Sequence, residues 1–119
     1  MPVPLHTAFP LDRQVTDERR AGWTAKLLED RSFRRSQIEG LDTEMSCSPG
    51  RPSDAVTDML RASAMAALKE IDDALARLAN GQFGRCVRCR QPVGLERLDV
   101  LPMAAQCMPC QYDAEVRGR

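Results

Sequence analysis

The sequence predicts a mainly α-helical protein: an antiparallel coiled-coil hairpin of two long helices, with a small four-cysteine zinc module and a short C-terminal helix. Three observations support this prediction. Two stretches without proline carry apolar residues at helical spacing, a segment rich in proline and glycine separates them, and two Cys-x-x-C pairs follow. Alanine, leucine, arginine and acidic residues are abundant, a composition that favours helix.

The first half of the chain divides into an arm and a helix. Residues 1–10 contain three prolines and are predicted to form a flexible N-terminal arm. The hairpin is predicted over residues 11–80. Its first helix should end near Gly40 and present a face with successive spacings of four, seven, four and three residues: Trp23, Leu27, Arg34, Ile38 and Leu41.

The second helix has the more regular pattern. Its a/d seam follows a four-three rhythm: Ala64, Leu68, Ile71, Leu75 and Leu78. Asn80 and Gly81 are predicted to close it as a C-cap. Residues 42–53 contain two prolines and a glycine and form the predicted tip of the hairpin. Because this connection is short, the two helices should run antiparallel.

The two cysteine pairs predict a structural metal site. Seventeen residues separate the first pair, Cys86 and Cys89, from the second, Cys107 and Cys110, which is spacing typical of a zinc module. Four thiolates fill a tetrahedral zinc ion and leave no position for substrate, so one structural zinc ion is expected rather than a catalytic one. Residues 81–119 are too short to build a self-sufficient core, and metal binding is a usual remedy at that size.

Other chemistry for the four cysteines remains open at this stage. The pairs could be redox motifs, they could hold an iron–sulfur cluster, or oxidation of the thiolates could release zinc and act as a switch. A fifth cysteine, Cys47, lies in the predicted turn and is interpreted as an incidental free thiol. His6 is the only histidine and lies in the predicted arm.

Composition argues against several classes of function. Seventeen basic residues balance seventeen acidic ones, so the chain lacks the basic field that non-specific DNA binding requires. The sequence has no phosphate-binding glycine loop and no nucleophile elbow, so we expect a protein that is not an enzyme. Neither a signal peptide nor an apolar membrane span is apparent, which predicts a cytoplasmic protein.

The second half of the chain contains a connected series of motifs. It begins with Ala67 to Leu78, Gly81-Gln82-Phe83-Gly84-Arg85-Cys86 and Cys89-Arg90-Gln91-Pro92-Val93. It continues through Glu96-Arg97-Leu98-Asp99 and Pro102 to Cys107 and Cys110. In these motifs the chain resembles the DksA/TraR family of bacterial transcription regulators, specifically over residues 67–115 and more weakly over the first helix.

The resemblance implies a partner and a mode of binding. In that family a four-cysteine zinc module supports a coiled-coil hairpin, which enters the secondary channel of RNA polymerase and brings acidic tip residues towards the catalytic centre. Some members act together with ppGpp. By this resemblance RNA polymerase is the expected partner, ppGpp is a weaker expectation, and sequence-specific nucleic acid binding and membrane association are not expected.

Three positions depart from the family pattern. The tip often carries Asp-x-x-Asp-x-Ala, whereas this chain offers Asp42, Glu44 and Asp54 at other spacings, so these are candidate tip residues with no assigned role at the active centre. Arg90 stands where many relatives have glycine, so a positive φ there would strain the knuckle. Leu101 stands where relatives often have arginine, which removes a potential contact to polymerase or nucleotide.

Two alternative functions follow from the same residues. With its acidic tip motif lost, the chain could be a zinc-stabilised interaction module for a different partner. It could also be a nucleic-acid-binding zinc ribbon that uses the local basic cluster of Arg85, Arg88 and Arg90, although no aromatic platform accompanies these arginines.

Overall fold

The computed structural model describes residues 15–46 and 55–118, which contain four helices. We label them α1 (Asp17–Ser46), α2 (Ala55–Asn80), α3 (Leu95–Val100) and α4 (Met108–Arg117). The predicted arm, with His6, lies outside the described residues. So does most of the predicted tip, including Cys47 and the candidate tip residue Asp54.

Helix α1 begins with a side-chain cap and ends later than the sequence predicts. The Thr16 Oγ1 accepts a hydrogen bond from the Arg19 backbone N–H at 3.1 Å, and two acidic residues occupy the first turn. The predicted end near Gly40 is wrong, because the helix continues to Ser46. A glycine inside a helix costs only about 1 kcal/mol relative to alanine, so packing and ion pairs beyond it can maintain the helix.

Helix α2 ends where the sequence predicts. Gly81 has a φ of 72°, a left-handed conformation that glycine adopts without strain. The Gln82 N–H donates to the Arg77 carbonyl oxygen at 2.9 Å, which is the 6→1 bond of a Schellman motif. Among the described residues, no helix is both long and apolar enough to cross a membrane.

The two long helices form the predicted antiparallel hairpin. Arg31 pairs with Asp72 at 2.7 Å, and Asp42 pairs with Arg61 at 2.7 Å. Eleven residues forward along α1 therefore correspond to eleven residues back along α2, which fixes one antiparallel register. By their lengths of 30 and 26 residues, the helices measure about 45 and 39 Å. The mainly helical fold class is confirmed.

The hairpin seam is buried at one end and more open at the other. Leu27, Ile71 and Ala74 form a buried cluster, against which Leu75 and Leu78 pack. The other predicted seam residue that is fully buried is Ala64, whereas Leu68 is half-buried. Towards the distal end of the hairpin, the exposed apolar side chains are those of Met45, Val56, Met59 and Leu60.

A second buried cluster joins the start of α1 to the cysteine module. It consists of Trp23, Cys86, Val93, Leu98 and Cys107. The Trp23 ring also lies 4.9 Å from the Phe83 ring, centroid to centroid. The short helix α3, which supplies Leu98, was not predicted from the sequence.

We predict that Leu27→Ala destabilises the hairpin by about 2–5 kcal/mol, because it removes a fully buried side chain from the α1–α2 cluster. The matched control is Leu28→Ala, since the neighbouring Leu28 side chain is 49% exposed and should cost less than about 1 kcal/mol. Urea unfolding followed by circular dichroism measures both values. Equal effects of the two substitutions would contradict the register described above.

Candidate metal centre

The first cysteine pair lies on a tight knuckle stabilised by backbone hydrogen bonds. The Cys86 N–H donates to the Gln91 carbonyl oxygen at 2.8 Å, and the Arg90 N–H donates to the Cys86 carbonyl oxygen at 3.0 Å. An isolated antiparallel bridge between Arg85 and Pro92 closes the base of the knuckle. The Cys89 N–H points at the Cys86 Sγ at 3.5 Å, within the range of a weak N–H···S bond.

Arg90 has the positive φ that was identified from the sequence as a source of strain. Its φ is 68°, and it is the one positive-φ residue other than glycine among the residues that the structure describes. A left-handed conformation costs a residue with a Cβ about 1–2 kcal/mol. The knuckle therefore imposes this conformation on Arg90 against its local preference.

The second cysteine pair is positioned by helix α4. Cys107 is the N-cap of α4, and Cys110 lies in its first turn, directly after Pro109, the second residue of the helix. Backbone N–H groups at a helix N-terminus favour negative charge and therefore the thiolate form of cysteine. The Val87 N–H donates to the Ala105 carbonyl oxygen at 2.9 Å, which joins the first knuckle to the segment that precedes Cys107.

The four sulfur atoms converge on one point. They all lie within 4.8 Å of one another, and the Sγ atoms of Cys89 and Cys107 are 3.6 Å apart. A tetrahedral zinc ion with Zn–S bonds of about 2.3 Å places its sulfur ligands about 3.8 Å apart. The arrangement therefore fits one zinc ion with four thiolate ligands, and Cys86 and Cys107 lie on its buried side.

The pKa values of two of the clustered cysteines, Cys86 and Cys110, are shifted in opposite directions. Burial acts to raise the pKa of the Cys86 thiol, but hydrogen bonds from the backbone N–H groups of Cys89, Cys107 and Arg88 outweigh it and lower this pKa to about 6. The neighbouring Cys107 sulfur raises the pKa of Cys110 to about 12, with burial and the other two sulfurs adding to the effect. Four thiolates crowded together are thus unfavourable without a cation, and binding of zinc must release thiol protons.

Arg88, which belongs to the basic cluster proposed for nucleic acid binding, makes contacts within the module. The Arg88 guanidinium pairs with Asp113 at 2.8 Å and donates to the Cys110 carbonyl oxygen at 3.4 Å. This contact ties the first knuckle to α4. A guanidinium held in this way is less available to a phosphate, so the geometry gives the zinc-ribbon alternative little support.

The structure describes two of the three candidate tip residues. Asp42 and Glu44 lie in the last turns of α1 rather than in a turn, and Asp54 is outside the described residues. The Asp42 carboxylate is paired with Arg61, whose pKa is raised by this hydrogen bond and by the charge of Asp42. Glu44 is exposed.

Sequence reasoning missed a residue that links the module to the hairpin. The Asp99 carboxylate in α3 accepts hydrogen bonds from Arg19 and Trp23 of α1, each at 2.8 Å. These bonds lower the pKa of Asp99, the one from Arg19 having the larger effect. The signal available in the sequence was a single tryptophan on a helix with few other large apolar residues.

We predict that Cys86→Ser abolishes stoichiometric zinc binding, because serine replaces the buried thiolate and three sulfur ligands remain. Elemental analysis should find about one zinc per wild-type chain and much less in the variant. The matched control is Cys47→Ser, which should leave the zinc content unchanged. A wild-type chain purified without zinc, with a fold insensitive to chelators, would contradict the prediction.

We predict that Arg90→Gly stabilises the module by about 1 kcal/mol, since glycine adopts the left-handed conformation without the Cβ clash. The substitution should raise the chelator concentration needed to remove half of the zinc. Arg90→Ala serves as control, because alanine retains the Cβ and should bring no gain. Equal stabilisation by both substitutions would show that the charge of Arg90, and not its φ, is responsible.

A family model matches the cysteine module. It describes a prokaryotic dksA/traR C4-type zinc finger and covers residues 81–115. Together with the four converging sulfurs, this match confirms the prediction of one zinc ion as the cofactor.

Curated relatives match the second half of the chain. The RNA polymerase-binding transcription factor DksA of Haemophilus influenzae is 36% identical over 52 residues, which are 44% of this chain and 36% of that protein. The protein of the same name from Escherichia coli K12 is 34% identical over 52 residues, 44% of this chain and 34% of the relative. The match thus spans about a third of the length of these relatives.

Solved structures are similar in fold over most of the chain. Transcription factor DksA2 from Pseudomonas aeruginosa superimposes with a TM-score of 0.71 at 27% identity, over 87% of this chain and 88% of that one. The RNA polymerase binding protein and transcriptional regulator Dks from Chlamydia trachomatis L2 has a TM-score of 0.50 at 22% identity, over 85% and 92%. This second likeness concerns the fold alone. The cysteine module therefore matches the dksA/traR C4-type zinc finger over residues 81–115, and the chain as a whole is similar in fold to DksA2.

Proposed function

We propose that this chain is a cytoplasmic, non-enzymatic transcription regulator that binds RNA polymerase through its coiled-coil hairpin, in the secondary channel, without reading DNA sequence. The observation that carries the proposal is the fold shared with DksA2 over 87% of the chain, together with the four-cysteine module that the zinc-finger family model matches in this chain. Cys86, Cys89, Cys107 and Cys110 are the proposed ligands of one structural zinc ion.

The shape of the hairpin suits insertion into a channel. Two helices about 40 Å long and two helices wide make a narrow rod. Cross-helix ion pairs hold the rod at its middle and near its distal end. We propose that the chain has three parts: an arm over residues 1–10, a hairpin over 11–80 that contacts the partner, and a module over 81–119 that fixes the base of the hairpin.

The described candidate tip residues favour occupancy of the channel over chemistry at an active centre. Of the two that the structure describes, Asp42 is engaged by Arg61, whereas Glu44 is exposed. This arrangement gives little support to an active-centre role that needs both of these carboxylates free. We therefore propose that the hairpin acts mainly by filling space.

A role for ppGpp stays a prediction. A groove of about 670 Å³ lies between the hairpin and the module, and its charged lining consists of three arginines and three acidic residues. The arginines are Arg34, Arg77 and Arg97, and the acids are Glu70, Asp73 and Glu115. Balanced charge of this kind does not by itself favour a highly anionic nucleotide.

We predict that the zinc-loaded chain co-purifies with bacterial RNA polymerase at micromolar concentration, as native mass spectrometry can detect. A variant lacking residues 42–53 should bind at least about tenfold more weakly, because it shortens α1 and removes the distal end of the hairpin. The deletion variant must still hold one zinc ion, which controls for folding of the module. A wild-type chain that does not bind polymerase at this concentration would contradict the proposal.

The alternative function is a zinc-stabilised interaction module with a different partner, and the departures at the tip favour it. Substituting Asp42 and Glu44 by alanine separates the possibilities, with Glu39→Ala as an exposed control on the same helix. If the hairpin fills the channel, the double variant should retain polymerase binding and leave the effect on transcription in vitro unchanged. Retained binding with a lost effect would instead show that the carboxylates act at the active centre.

A further inference from the structure

Helix α1 is divided between two environments. Leu27 packs on Ile71 and Ala74 of the hairpin, whereas Trp23, one turn earlier, packs among residues of the cysteine module. The Trp23 side chain is 4% exposed, and two of its cluster partners are the metal-site cysteines Cys86 and Cys107. The beginning of α1 thus shares its core with the metal centre rather than with α2.

A polar clamp reinforces this shared core. The two oxygens of the Asp99 carboxylate accept separate hydrogen bonds, Oδ1 from Trp23 Nε1 and Oδ2 from Arg19 Nη2. Asp99 belongs to α3, a six-residue helix whose N-cap, Gly94, provides no side-chain cap. A helix this short is not stable alone, so its position depends on the segments that carry the cysteines on either side of it.

The rest of the hairpin has contacts that do not involve the module. Beyond Leu27, ion pairs connect Arg31 to Asp72 and Asp42 to Arg61. The buried residues Leu27, Ile71 and Ala74 also belong to α1 and α2, although Phe83 and Met103 of the module pack against their edge. We therefore expect the ion pairs and the contact of Leu27 with α2 to remain in a chain whose module has lost its order.

From this division we infer that metal loading governs the docking of the first part of α1. Residues 17–26 are held in place only while zinc orders the module, and the hairpin beyond Leu27 keeps its helical pairing without it. Zinc therefore acts as the allosteric ligand of a local order–disorder equilibrium at the base of the hairpin. The inference goes beyond polymerase binding and needs only the zinc ion assigned to the four cysteines.

The test uses the full chain, zinc-loaded and after treatment with a zinc chelator under reducing conditions. Because Trp23 is the only tryptophan, its fluorescence reports directly on this contact. Chelation should shift the emission to longer wavelength and reduce amide hydrogen-exchange protection in residues 17–26 by about tenfold or more. Protection in residues 28–40 should change by less than about threefold.

A variant distinguishes the effect of the Asp99 hydrogen bonds from the effect of zinc binding. Asp99→Ala should lower the protection of residues 17–26 in the zinc-loaded chain, while zinc content stays at about one per chain. Asp73→Ala is the matched control, since Asp73 is paired only with Lys69 of its own helix among the described ion pairs. Unchanged protection of 17–26 after zinc removal overturns the inference, and so does a uniform loss along the whole of α1. Neither the fluorescence nor the hydrogen-exchange measurement requires polymerase, so the result of the test is independent of the proposed function.

Discussion

The four-sulfur cluster is the constraint on which the second half of the molecule depends. Between residues 81 and 118 the fully buried apolar side chains are few, with Leu98 and Pro102 the largest besides the cysteines themselves. So small a core cannot order a segment made largely of turns and two short helices. Zinc binding to peptides of this kind supplies on the order of 10–16 kcal/mol at neutral pH, enough to impose conformations that the chain would otherwise avoid. The left-handed Arg90 is one such conformation.

The cluster also explains how the two parts of the molecule are joined. A hairpin that met the module only through the link at Gly81 could swing about that link. Instead Trp23 enters the module, Phe83 packs on its ring, and Asp99 holds it by a hydrogen bond. The direction of the hairpin is therefore set by a buried aromatic contact and a charged clamp, both on the side of the metal centre where Cys86 and Cys107 are buried. For a regulator proposed to insert a rod into a channel, this base determines where the rod points.

The sequence predicted those features whose determinants are local. Paired cysteines at zinc-finger spacing, a four-three apolar rhythm and a C-cap glycine each act within a few residues, and all three are found in the structure. Features decided by distant partners were missed. Gly40 suggested a helix end, but Asp42 beyond it pairs with Arg61, nineteen residues away. Trp23 was assigned to the hairpin seam, whereas its hydrogen-bond partner is 76 residues further along the chain. Helical periodicity identifies a buried face and cannot say what buries it.

The distal end of the hairpin shows how one ion pair can change the character of a surface. The Asp42 carboxylate accepts a hydrogen bond from the Arg61 guanidinium, with 2.7 Å between Arg61 Nε and Asp42 Oδ1. This ion pair lies beyond Gly40 on α1 and partly neutralises the Asp42 charge. Next to it Met59 and Val56 expose most of their apolar surface, at 71% and 60%. Among the described residues at this end, exposed apolar side chains accompany the exposed carboxylates Glu44 and Asp58, so shape and apolar fit can contribute to a contact there as well as charge. Of the acidic residues expected at the tip, the described part of the hairpin thus pairs Asp42 across the two helices and exposes Glu44.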